Sequence, residues 1–131
     1  MYKTIVCAIE IGKEGRKVLT KAKQLAQLFD STLIVVNVLP YSFLPKDYER
    51  ELKEEAIPEF HAFVSKFDIP KKNRVLKVGK PYAVICNIAH RKKADLIILG
   101  THSKSGVRAL IGSTATGVAN TASCDVSLVR V

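Results

Sequence analysis

Glycines and hydroxyl-bearing residues crowd into one part of this sequence, Gly100-Thr101-His102-Ser103-Lys104-Ser105-Gly106. They return after a short apolar interval as Gly112-Ser113-Thr114-Ala115-Thr116-Gly117. Glycine lets a backbone approach an anion closely and turn its N–H groups toward it. A helix beginning near Ser113 would add free N–H groups and a favourable dipole, and the hydroxyls of Ser113 and Thr114 would add donors. That is the chemistry of a phosphate site. The same residues also fit a plain loop with Ser113 or its neighbour as an N-cap, and residue types alone leave both readings open. Gly112 to Gly117 has the G-x-x-x-x-G spacing of a P-loop, but Val118 stands where the lysine is required. No G-x-G-x-x-G fingerprint is present, which argues against dinucleotide oxidoreduction.

Glu10, in Ile9-Glu10-Ile11-Gly12, is the only acid at the end of the first apolar run. A carboxylate there either accepts hydrogen bonds from a ribose or is a solvated loop acid. Lys104 and Arg108 would screen phosphate charge, although free surface cations are the commoner case. His102 could act as a base by position alone, but a lone loop histidine is more often solvated. A phospho-acceptor aspartate is missing from Val78-Gly79-Lys80, which removes a response-regulator reading. The histidines His61, His90 and His102 are scattered and form no cluster with the cysteines at ligand spacing, so no metal is expected beyond the Mg that accompanies a nucleotide.

Five short runs must position these groups. Thr4–Ile9 and Thr32–Leu39 are almost continuously apolar, as strands buried on both faces should be, and Asp95–Leu99 is similar. Asn73–Val78 and Asp125–Val131 alternate, as strands at or near a sheet margin do. Between the first two, Lys13–Phe29 places Val18, Leu19, Ala22, Leu25, Ala26 and Phe29 at helical intervals. Tyr48–Phe67 reads as a helix broken or bent near Pro58, Pro81 opens a third, and Ser113–Ala122 forms the last. Alternating strands and helices imply an α/β fold with a parallel sheet and helices on both faces. Right-handed crossovers and the two alternating margins favour the order 3-2-1-4-5. Ligands of such sheets bind beyond the carboxyl ends of the strands where the winding reverses, here between strands 1 and 4.

Composition bounds the rest. A chain of 131 residues, 47% hydrophobic, is the size of one domain, so residues 1–131 are expected to form a single one. No stretch reaches the roughly 18 apolar residues of a membrane span, and no signal-peptide core follows Met1. The three cysteines Cys7, Cys86 and Cys124 include no C-x-x-C pair and read as small buried hydrophobes of a reducing, cytoplasmic compartment. The net charge of +9 raises nucleic acid as a partner. However, the cations are spread over nearly every segment, and no aromatic-basic interleaving or helix-turn-helix pattern accompanies them, which argues against it.

The last third of the chain, Leu99 to Val131, resembles the C-terminal signature of the universal stress protein family. The likeness extends over nearly the whole chain, through Val36-Asn37-Val38-Leu39, Val78-Gly79-Lys80-Pro81 and Ala94-Asp95-Leu96-Ile97-Ile98-Leu99-Gly100. ATP-binding members of that family carry G-x2-G-x9-G-[ST] and an acid after strand 1. The resemblance implies a Rossmann-like ligand site comprising Ile9, Glu10, Val38, Gly100, Ser103, Gly112, Ser113 and Thr114, with ATP or another phosphate compound as ligand. Ser103 replaces the second glycine, eight residues separate it from Gly112, and Glu10 replaces the usual aspartate. The shortened spacing also resembles the branch near the family's founding member, which is generally regarded as not binding ATP. A regulatory module that binds nucleotide, a slow ATP hydrolase or autophosphorylating protein acting at Ser113, and a nucleotide-free interaction module therefore all stay open. The family further implies a homodimer in which the last strand pairs across the axis, removing an exposed edge.

Overall fold

The computed structural model describes residues 1–40, 45–102 and 110–131. Five strands, β1 (Thr4–Ala8), β2 (Thr32–Leu39), β3 (Arg74–Val78), β4 (Leu96–Gly100) and β5 (Asp125–Val129), form one sheet. Its order is β3-β2-β1-β4-β5, and every neighbouring pair is parallel. Thr4 faces Thr32 on one side of β1, and Ile5 faces Leu96 on the other. The crossovers carry α1 (Lys13–Phe29), α2 (Lys46–Ser65), α3 (Pro81–Arg91) and α4 (Ser113–Thr121).

Successive strand side chains point to opposite faces, so the apolar runs fill two separate cores. Ile5, Cys7, Leu33, Val35, Leu96 and Ile98 meet α1 and α2 through Val18, Leu19, Ala22, Phe60 and Val64. The intervening Val6, Ala8, Ile34, Val36, Ile97 and Leu99 meet α3 and α4 through Ile85, Ile88, Ala115 and Val118. This double burial is why β1, β2 and β4 read as unbroken apolar runs. The marginal strands β3 and β5 are only partly covered, in keeping with their alternation.

α2 runs unbroken from Lys46 to Ser65 with Pro58 inside it, so of the expected break or bend the break is not found. Proline removes one backbone donor, but Phe60, Phe63 and Val64 immediately beyond it are buried against the sheet, and that packing outweighs the lost bond. Among the described residues no helix is long and apolar enough to cross a membrane.

The amino edge of the sheet is tied by side chains. Asp95 Oδ2 accepts from the backbone N–H groups of Lys3 (2.9 Å) and Thr4 (3.0 Å), and the Asp95 N–H returns a bond to Thr4 O at 2.8 Å. Tyr2 donates its hydroxyl to Asp125 Oδ2 (2.9 Å), and Ser31 Oγ donates to Tyr2 O. The entries of β1, β2, β4 and β5 are thus linked through one short N-terminal segment.

Candidate functional site

At the carboxyl edge, β1 and β4 are neighbours whose following connections leave toward opposite faces of the sheet. Beyond β1, Ile9 remains buried and its N–H continues the ladder to Val36 O at 2.9 Å. Asn37 on β2 is itself buried and donates Nδ2 to Ile9 O (2.7 Å), which pins the chain where it leaves the sheet. Glu10 then emerges, exposed. Two glycines shape the turn that follows. Gly12, the residue before α1, has φ 142°, a region that other residues rarely adopt. Gly15, in the first turn of α1, is more demanding: a Cβ there would lie 1.7 Å from Glu10 O. Only glycine lets the Glu10 carbonyl rest against the helix.

Beyond β4, Gly100 passes between Val18 and Val131, each 3.3 Å from where its Cβ would be. The Thr101 N–H donates to Val129 O (2.9 Å), and the Gly112 N–H donates to Thr101 O (2.7 Å), which returns the chain to the end of β4. Gly112 is the residue before α4, Ser113 is its first helical residue, and no side chain caps the helix. Of the two candidates for the cap, Ser113 or its neighbour, the neighbour Gly112 holds the N-cap place, and Ser113 opens the first turn. Helical geometry leaves the N–H groups of this first turn without intrahelical acceptors, and they accompany the positive end of the helix dipole.

One cleft collects these pieces. Ile9, Glu10, Val38, Gly100, Gly112, Ser113 and Thr114, seven of the eight residues expected at the site, all line it. Ser103, the eighth, lies outside the described residues, as do Lys104 and Arg108. Ala8, Val36, Ile85 and Leu99 form an apolar floor, and Thr101 and His102 form part of the wall. The cleft is open to solvent and its cavity volume is about 100 Å³, below the roughly 300–1,000 Å³ usual for small-molecule pockets.

Residue types alone did not reveal four participants. Asn37 and Thr101 act through contacts between segments far apart in the chain, and Gly15, which meets Glu10 only five residues away, left a trace as a glycine in a helical turn. His102, expected to be solvated, is instead buried at 7% exposure, with Nδ1 2.8 Å from Thr101 Oγ1. Burial raises the thiol pKa of Cys7 far above its ordinary value, and that of Cys86 and Cys124 in the same direction. All three thiols therefore favour the protonated, unreactive form. Among the described residues no group of three or more His, Cys, Asp or Glu side chains is placed to hold a metal ion.

A doubly wound parallel sheet with a glycine-framed cleft at its switch point defines an α/β protein of the Rossmann-like class. The sequence model of the universal stress protein family matches residues 1–130, and this chain belongs to that family. Universal stress protein A homolog 2 of Coxiella burnetii is 31% identical over 140 residues, covering 99% of this chain and 96% of its own length. Among solved structures, hypothetical protein MJ0577 aligns with a TM-score of 0.85 at 21% identity over 100% of this chain and 97% of its own. A universal stress protein solved in complex with cAMP aligns with a TM-score of 0.67 at 23% identity, over 98% of this chain and 97% of its own.

Proposed function

We propose that this chain is a stress-response regulatory module whose switch-point cleft takes an adenine nucleotide or another phosphate ester, with ATP as the first ligand to test. The carrying observation is the meeting of Glu10 and the first turn of α4 in one cleft. A carboxylate able to accept from ribose hydroxyls and a helix N-terminus able to donate to phosphate oxygens address the two polar ends of a nucleotide. The apolar floor between them suits a base. The cAMP complex of a structurally similar family member supports a nucleotide as the ligand class. Ile9, Val38 and Gly100 would shape the cleft, and Gly112, Ser113 and Thr114 would receive phosphate.

Residues 1–131 act as one domain in this reading, in the cytoplasm, where a reducing medium suits three free cysteines. The functional unit is a homodimer paired through β5. That strand is an edge of the sheet, and Leu128 on it is 37% exposed, a feature that pairing would cover.

Mass spectrometry of ligand released from denatured protein, purified without added nucleotide, tests the reading, followed by calorimetric titration with ATP. Release of a nucleotide, or saturable binding below millimolar ATP, is expected. A protein that carries nothing and remains unbound at millimolar ATP overturns it. Sedimentation of the same sample tests the dimer, and a monomer at micromolar concentration removes it.

A further inference from the structure

His102 lines the cleft and is buried, and its Nε2 has no hydrogen-bond partner among the described residues. Buried polar nitrogens are rarely left in that condition, and such an atom beside a cleft marks a place where a ligand supplies the missing partner. Its neighbours bear on which kind of partner is missing. The Val131 N–H donates to Thr101 Oγ1 at 3.2 Å. Thr101 Oγ1 also lies 2.8 Å from His102 Nδ1, where the hydroxyl can donate its hydrogen to the ring or accept one from it. With Nδ1 accepting, a neutral imidazole carries its proton on Nε2, so the orphaned atom is a donor. The backbone of the same strand end meets the entrance to α4, where Thr101 O accepts from the Gly112 N–H.

We infer that His102 is a ligand-contacting residue of the cleft, donating from Nε2–H to an oxygen of the anionic group bound at the first turn of α4. Thr101, held by the backbone of Val131, is the positioning residue that sets the tautomer. The ligand class is a phosphate ester, and the inference rests on the functional reading above. His102 adds a side-chain donor beside the backbone donors of Ser113 and Thr114, and this donor is already desolvated before the ligand arrives.

Calorimetric titration of the full chain with ATP, adenosine and inorganic phosphate separates the roles, using wild type, His102→Asn and His102→Gln. The Asn amide nitrogen lies near the place of Nδ1 and cannot replace the Nε2 donor, whereas the Gln amide nitrogen reaches that place. His102→Asn should weaken ATP binding at least about tenfold while leaving adenosine affinity within about twofold, and His102→Gln should restore most of the loss. Unchanged ATP affinity in His102→Asn overturns the inference, as does an equal loss for adenosine and ATP, the mark of a packing role. In the wild type, independent of any variant's folding, the His102 Nε2 nitrogen resonance should shift on adding ATP or phosphate and stay in place on adding adenosine. A resonance unmoved in the ATP-saturated protein also overturns it. A wild type that binds neither ATP nor phosphate removes the functional reading and this inference together, whereas wild-type binding with an unaffected His102→Asn removes this inference alone.

Discussion

The two edges of the sheet are held by different means. At the amino edge, charged and hydroxyl side chains close the structure: Asp95 takes two backbone donors, Tyr2 reaches Asp125, and Ser31 reaches Tyr2. At the carboxyl edge, glycines and buried polar groups shape a cleft and leave donors facing it: Gly12, Gly15, Gly100 and Gly112 frame the backbone, and Asn37, Thr101 and His102 hold it from inside. One edge satisfies its polar groups internally and contributes stability. The other brings an exposed carboxylate and the first turn of a helix to one cleft.

Gly15→Ala should break this division most severely. The new Cβ would fall 1.7 Å from Glu10 O, so the turn carrying Glu10 must move. We expect a loss of about 2 kcal/mol or more in denaturant unfolding, together with at least about tenfold weaker ATP binding in titration. Retention of both would mean that the turn adapts freely and that Glu10 is not held.

Asp95→Ala works on the opposite edge. It strands the partly buried N–H of Thr4 and the exposed N–H of Lys3, and should cost about 1–3 kcal/mol. Because the damage lies at the far end of the strands, ATP affinity should be unchanged once the variant is folded. A parallel loss of affinity would show that the edges are coupled.

The smallest effect belongs to Tyr2. The hydrogen bond to Asp125 raises the Tyr2 phenol pKa above its ordinary value of 10.0, with burial and the Asp125 charge acting in the same direction. The bound proton is favoured in the folded state, so the stabilisation is complete below the ordinary phenol pKa and is lost as pH rises through the raised one. Unfolding midpoints measured from neutral pH to strongly alkaline conditions should show this component in the wild type and lack it in Tyr2→Phe. Identical alkaline profiles would remove the contribution assigned to that contact.

Legibility in the sequence followed the range of the physics. The doubly buried strands were readable because each lies within eight residues whose apolar character is continuous, and α1 because its apolar stripe repeats over seventeen residues. The cleft was readable through chain order, since parallel winding puts the ends of β1 and β4 side by side, bringing Glu10 and Ser113 to one place. Pro58 misled because local backbone preference was overruled by Phe60 and Val64 packing on the sheet. His102 misled because a histidine in a run of hydroxyl residues, glycine and lysine looks solvated, whereas the fold buries it at the end of β4 beside Thr101.

Period and composition by themselves determined the α/β class, the parallel order and the edge at which glycines and hydroxyls gather, because each follows from the alternation of short and long apolar repeats. Only the tertiary structure decided that Gly15 must lack a Cβ, that Asn37 pins Ile9, and that Thr101 Oγ1 lies against a buried His102. Those outcomes rest on contacts between atoms brought close by the fold, where a few tenths of an ångström or one buried hydrogen bond decides the result.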